Sequence, residues 1–149
     1  LAAADHRPTS QVLGLRSVDA DAGVALALSL PAGSTVTYLE RLRLQSDEPL
    51  AIMRNWIPAG VADLDADCLA SNGLYELFRR SGVHLRIADQ RIGARAATRP
   101  EARLLGVKFG SPLLTMERTA FDDAGRAVEY AQHCYRADSY FFDTTLVCR

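Results

Sequence analysis

The feature that most constrains this 149-residue chain is internal: displaced by 77 positions, the sequence matches itself. Ala25, Leu28, Leu30, Gly33, Ser34, Val36, Glu40 and Arg41 fall on Ala102, Leu105, Val107, Gly110, Ser111, Leu113, Glu117 and Arg118. Each copy reads as helix, Gly-Ser turn, strand, turn, strand, with the second hairpin turn one residue longer. Two such units predict helices laid on a mainly antiparallel sheet with rough internal two-fold symmetry, an α+β fold. Chance likeness between two amphipathic units is the alternative; the identities at Gly-Ser and Glu-Arg favour duplication.

Local signals fill in the elements. Residues 1–10 are polar and Pro-containing and read as a linker tail, and Gln11–Val18 as a short strand. Asp21 is placed as the N-cap of a helix reaching Leu28. Thr35–Leu44 and Leu50–Ile57 form a hairpin around Asp47-Glu48-Pro49, and Pro58 and Gly60 end it. Ser71 or Asn72 is expected to cap a helix carrying Leu74, Leu77 and Phe78, closed by Gly82. Val83–Ala97 is extended. Thr98-Arg-Pro-Glu101 is a capping box with proline in the first turn, and its helix stops at Gly106. Leu113–Phe121 and Ala127–Arg136 flank the turn at Asp122–Gly125, and Tyr140–Val147 could be a last strand.

Strand alternation sorts the side chains. Leu39, Arg41 and Arg43 share one face of their strand; Val36, Tyr38, Glu40, Leu42 and Leu44 share the other, which is mostly apolar and expected under helices. Two arginines two positions apart make a compact cationic spot, either a fork for phosphate or carboxylate or a solvated strand face. Glu129, His133 and Tyr135 share a face with Ala127 and Ala131, where small residues leave room for a ligand. Ala120 stands where the first copy has Arg43, so only the first half keeps the arginine pair.

Other classes of function find little support. Lys+Arg (17) and Asp+Glu (18) balance, whereas a free-standing nucleic-acid binder carries a basic excess. No apolar run approaches the ~18 residues of a membrane span. No nucleophile motif or phosphate loop occurs, and His6, His84 and His133 have no metal-ligand spacing. Trp56 reads as core. Cys68, Cys134 and Cys148 have no paired spacing and are expected as reduced thiols in the cytoplasm. No catalytic residue, metal or cofactor is assigned.

Taken together, several segments resemble the UTRA effector-binding domain of GntR-type bacterial regulators, in the subgroup typified by histidine-utilisation repressors. The carriers are Pro8-Thr9-Ser10, Gly33-Ser34 leading into Tyr38-Leu39-Glu40-Arg41-Leu42-Arg43-Leu44, Asp47-Glu48-Pro49-Leu50, Trp56-Ile57-Pro58 and Leu74-Tyr75-Glu76-Leu77. They continue through Leu105-Gly106-Val107, Gly110-Ser111-Pro112-Leu113-Leu114, Val128-Glu129-Tyr130 and Tyr135-Arg136-Ala137-Asp138-Ser139-Tyr140. The resemblance implies a chorismate-lyase-like fold with a six-stranded antiparallel sheet. It implies a homodimer, a small effector, and an upstream winged-helix domain that carries DNA binding; the Leu1 start fits a chain lacking that part, with the effector domain over 11–149.

The resemblance also implies site residues. In sugar-phosphate-sensing members the arginines matching Arg41 and Arg43 hold the phosphate, helped by positions matching Thr9, Ser10, Gly73 and Tyr75, while those matching Glu129 and Tyr135 meet the rest of the ligand. The family often has Glu where this chain has Met53, and Ser where it has Gly73. Losing a carboxylate removes a hydroxyl acceptor, so an anionic effector with a less polar or differently shaped tail is expected. The rival readings are a chorismate-lyase-like enzyme and a dimerisation module with a vestigial pocket.

Overall fold

A computed structural model describes residues 8–148, apart from the side chains of residues 70 and 71. The strands are β1 (Pro8–Asp19), β2 (Thr35–Gln45), β3 (Glu48–Pro58), β4 (Leu85–Ala96), β5 (Pro112–Asp122) and β6 (Ala127–Arg136). The helices are α1 (Ala22–Leu28), α2 (Ala66–Ser71), α3 (Leu74–Arg80) and α4 (Arg99–Leu105). The strands form one antiparallel sheet ordered β1-β2-β3-β6-β5-β4.

That order is a palindrome of two β-α-β-β units, and the repeat survives to single hydrogen bonds. Ala20 N–H donates to Ser34 O and Ala97 N–H to Ser111 O, both at 2.8 Å; Gly33 N–H returns to Ala20 O and Gly110 N–H to Ala97 O. Asp21 caps α1 through Val24 N–H, and Thr98 caps α4 with the full capping box and Gly106 closing it in the left-handed region. Arg54 pairs with Gln132, its own counterpart in the second copy, so the pseudo-two-fold axis runs through that pair at the β3–β6 seam.

Both repeat helices pack on one face. Val24, Ala25 and Leu28 of α1 bury against Val36, Ala127 and Tyr130. Ala102 and Leu105 of α4 bury against Leu42, Ile52, Leu113 and Cys134. Val36, Leu42 and Leu44 are therefore under helices as alternation predicted, while Tyr38 and Glu40 lie in the polar strip between them. The other face is covered only in part, by α2 and α3, whose Leu69, Leu74, Leu77 and Phe78 close on Leu39, Ile57 and Val128. These two helices sit between the repeats and break their symmetry.

Several sequence expectations need correction. The first strand starts at Pro8, because Pro8, Thr9 and Ser10 pair with Gln45, Leu44 and Arg43; residues 1–7 of the expected linker lie outside the described residues. The first hairpin turns at Ser46-Asp47, with φ of 52° and 63°, so Glu48 and Pro49 are already strand; a two-residue turn with both φ positive matches the strand twist. The α3 cap is Gly73, without a side-chain bond, because Asn72 closes α2, a short helix the sequence reading did not place. Tyr140–Val147 has no ladder partner among the described residues. The register shift between Ala120 and Phe121 turns Ala127 to the α1 face. The three cysteines are free thiols, Cys134 buried.

Candidate functional site

The half-open face has a cleft of about 280 Å³ lined by Arg41, Arg43, Met53, Gly73, Leu74, Tyr75, Arg118, Glu129, His133 and Tyr135. β2 delivers the two arginines because they alternate onto one face, and Met53 lies between Arg41 and His133 in register. α3 supplies Tyr75 from above, and β5 supplies Arg118.

A buried polar relay crosses the floor. Arg41 Nη2 donates to Asn55 Oδ1 at 3.2 Å, and Asn55 Nδ2 donates to Glu129 Oε2 at 2.6 Å. Glu129 Oε1 accepts from the Tyr75 hydroxyl at 2.8 Å and lies 3.6 Å from Arg118 Nη2. The Arg118 guanidinium also lies over the Tyr75 ring, 5.1 Å from its centre. Glu129 and Asn55 are both 0% exposed. Glu129 thus accepts two hydrogen bonds, pairs with Arg118 and offsets one of the three guanidinium charges.

What remains is an excess of donors. Among the described residues, the buried side-chain nitrogens and oxygens without a hydrogen-bond partner are Arg41 Nε, Arg43 Nε, Arg118 Nε and His133 Nε2, and all four residues line this cleft. A buried unsatisfied donor costs about 1–3 kcal/mol, more when charged. Desolvation and the neighbouring Arg43 push Arg41 down to about 10. Burial and the field of Arg118, Arg41 and Arg43 hold His133 near 3, so its ring is neutral. Its Nδ1 lies 3.4 Å from the Tyr135 hydroxyl, and Tyr135 is stacked on Tyr140 at 4.2 Å. Burial and the Glu129 carboxylate raise Tyr75, keeping its hydroxyl a donor.

Other clefts differ. One of about 220 Å³ on the opposite face holds Arg54 and Arg95, but both are engaged by acids: Arg95 forks onto Glu101 at 2.6 and 2.7 Å, and Arg54 reaches Glu40 and Glu101. No His, Cys, Asp and Glu cluster with metal-binding geometry occurs among the described residues, and none of their helices is long and apolar enough to cross a membrane.

Of the residues singled out from sequence, Arg41, Arg43, Met53, Tyr75, Glu129 and Tyr135 come together in the cleft. Thr9 and Ser10 do not line it. Ser10 pairs with Arg43 beside the cleft, whereas Thr9 pairs with Leu44 and is exposed. His133, which alternation had put on one face with Glu129 and Tyr135, joins them in the cleft, and Arg118 and Asn55 are the additions. Arg118 had a signal, since it is the repeat counterpart of Arg41: the axis brings one arginine from each half to the same cleft.

Comparison with known proteins agrees with this architecture. The UTRA domain family matches residues 3–140. The chain is 31% identical over 136 residues to the HTH-type transcriptional repressor NagR of Bacillus subtilis, covering 91% of this chain and 56% of that protein. It thus spans about half the length of the curated relatives it matches. A Streptomyces coelicolor structure assigned as a transcriptional regulator superposes with a TM-score of 0.92 at 49% identity, over 97% of this chain and 96% of that one. A Bordetella bronchiseptica structure assigned as the ligand-binding domain of a GntR-family transcriptional regulator superposes at 0.89 with 33% identity, over 95% and 90%. With the palindromic six-stranded sheet, the paired helices and a match over nearly its whole length, the chain belongs to the UTRA domain family.

Proposed function

We propose that this chain is the ligand-sensing and dimerisation domain of a cytoplasmic transcriptional repressor. It binds a small anionic metabolite, phosphorylated or carboxylated, and acts as a homodimer. It adjusts operator binding by a winged-helix domain that lies outside this chain. The observation that carries the reading is the convergence of four unpartnered buried nitrogens, three of them from guanidinium groups, in one cleft. A buried cationic site of this kind is stabilised by an oxyanion, for which guanidinium geometry is suited. The relatives being named as regulators supports a binding role rather than catalysis. Glu129 supports it as well, since its oxygens are committed to Asn55, Tyr75 and Arg118.

Coupling to DNA follows from linkage: a ligand that favours one arrangement of the dimer shifts operator affinity, typically by about 1–3 kcal/mol. Thermal-shift measurements against phosphorylated sugars, phosphonates, carboxylates and phosphate test the site. A ligand at about one hundred times its Kd adds about 2.7 kcal/mol of stability, and Arg41→Ala with Arg43→Ala abolishes the shift. Absence of any anion-dependent shift in the native domain rejects the reading.

A further inference from the structure

The cleft has two donor walls. On the β2 side stand Arg41 and Arg43; on the β5–β6 side stand Arg118 and His133. Arg41 reaches over β3 to Asn55, and Arg118 reaches over β6 to Glu129, so the two guanidinium groups come from opposite halves with Asn55 and Glu129 between them. Between them the floor is Met53, which offers a ligand no strong acceptor. Among the described residues Glu129 is the only carboxylate lining the cleft, and it is fully buried, accepting from Asn55 and Tyr75 and paired with Arg118.

His133 sharpens the picture. It is 7% exposed, its Nε2 has no partner, and the Tyr135 hydroxyl faces its Nδ1. When the Tyr135 hydroxyl donates to Nδ1, the ring proton sits on Nε2 and adds a fourth donor at the cleft wall. The other charged and titratable groups around it are Arg41 and Arg43 on β2, Arg118 on β5, Glu129 and Tyr135 on β6 and Tyr75 on α3.

We propose that the ligand carries a second oxygen acceptor, a carbonyl or carboxylate, read by Arg118 and His133 at the end opposite the head held by Arg41 and Arg43, and that the site excludes an ammonium group there. This deepens the effector reading and rests on it. Three guanidinium groups less one carboxylate leave an excess of two positive charges, a field that favours an anionic group at either end of the ligand, and an ammonium would find neither an unoccupied acceptor nor a favourable field.

Three near-isosteric probes test the proposal by calorimetry at fixed ionic strength: phosphoglycolate (carboxylate end), 2-hydroxyethyl phosphate (neutral end) and phosphoethanolamine (ammonium end). Phosphoglycolate binds about tenfold or more tighter than 2-hydroxyethyl phosphate, and phosphoethanolamine binds weakest. Arg118→Gln, which keeps a donor for Glu129, and His133→Phe each reduce the carboxylate preference several-fold, whereas Arg43→Gln weakens all three probes and leaves their ratios in place. Equal binding of the three, or a preference unchanged in both Arg118→Gln and His133→Phe, overturns the second subsite while leaving the anion cleft standing. If a variant fails to fold, the ranking in the native domain decides. Failure of every probe to bind the native domain removes the effector reading itself and this inference with it.

Discussion

Replacing Glu101 with alanine is the most informative perturbation of the scaffold. Its side chain is 5% exposed and joins three elements: Thr98 N–H donates to Oε1 at 3.0 Å, Arg95 forks onto both oxygens, and Arg54 reaches Oε2 from the central seam at 3.3 Å. Losing the return bond of the capping box costs about 0.5–1 kcal/mol. The charge-assisted bonds add about 2 kcal/mol, discounted because the Arg95 side chain is 43% exposed. The sum, about 3 kcal/mol, sits at the low end for removing one partner of a buried pair. In a domain of this size it lowers Tm by about 6–12 °C. Glu101→Gln keeps the cap acceptor and loses only the charge, so about half the effect remains. The Arg95 fork holds the Glu101 carboxyl well below the usual carboxylate range. Its stabilising contribution is therefore complete above the ordinary value near ~4.3 and fades as pH falls toward the depressed folded value. Urea melts of the three proteins from neutral pH downward measure this. A loss under about 1 kcal/mol for Glu101→Ala, or a gap between native and variant that does not shrink on acidification, refutes the account.

Leu28→Ala and Leu105→Ala remove repeat-equivalent side chains that are 2% and 0% exposed; each costs about 2–5 kcal/mol in chemical denaturation, and the two values agree within about 1 kcal/mol if the halves pack alike. Arg41→Gln removes a buried guanidinium held near Arg43 and Arg118, so melting without ligand is unchanged or higher while anion-induced stabilisation disappears. His133 is depressed to about 3, so the unfolded chain takes up a proton there before the folded one does. Ligand-free stability consequently falls between about pH 6.5 and 3 by up to about 1.4 kcal/mol per unit, and His133→Gln removes that share of the slope in parallel urea melts.

The parts legible in the sequence were those fixed by local chemistry. Asp21, the Thr98–Glu101 box and Gly106 mark helix ends by hydrogen bonds within a few residues, and the repeat carried the sheet's two-fold plan. What escaped depends on contacts distant in sequence. α2 has six residues and buries chiefly Leu69 against the α3 side of the sheet, too short for a periodic signal. The bulge at Val128 resets alternation, and so misassigned Ala127. Tyr140–Val147 alternates like a strand, yet the described residues offer it no ladder partner. In the cleft, alternation placed Arg41, Arg43, Glu129, His133 and Tyr135, while α3 brought Tyr75 to a position that only the family resemblance had suggested. Arg118 was visible as a repeat position; that the axis would swing it beside Arg41 followed only from the strand order.

The seam on which the cleft lies has a mechanical meaning. Each β-α-β-β half is zipped internally along two long ladders; the halves share the shorter ladder from Ala51–Tyr135 to Trp56–Tyr130, and α1 and α4 each cross it to pack on strands of the other half. An anion gripped by Arg41 from one half and Arg118 from the other is a rivet across the joint. Without such a ligand, Asn55 and Glu129 are the groups that span the joint between these two arginines. A molecule of a few atoms can in this way set the angle between structures many times its size.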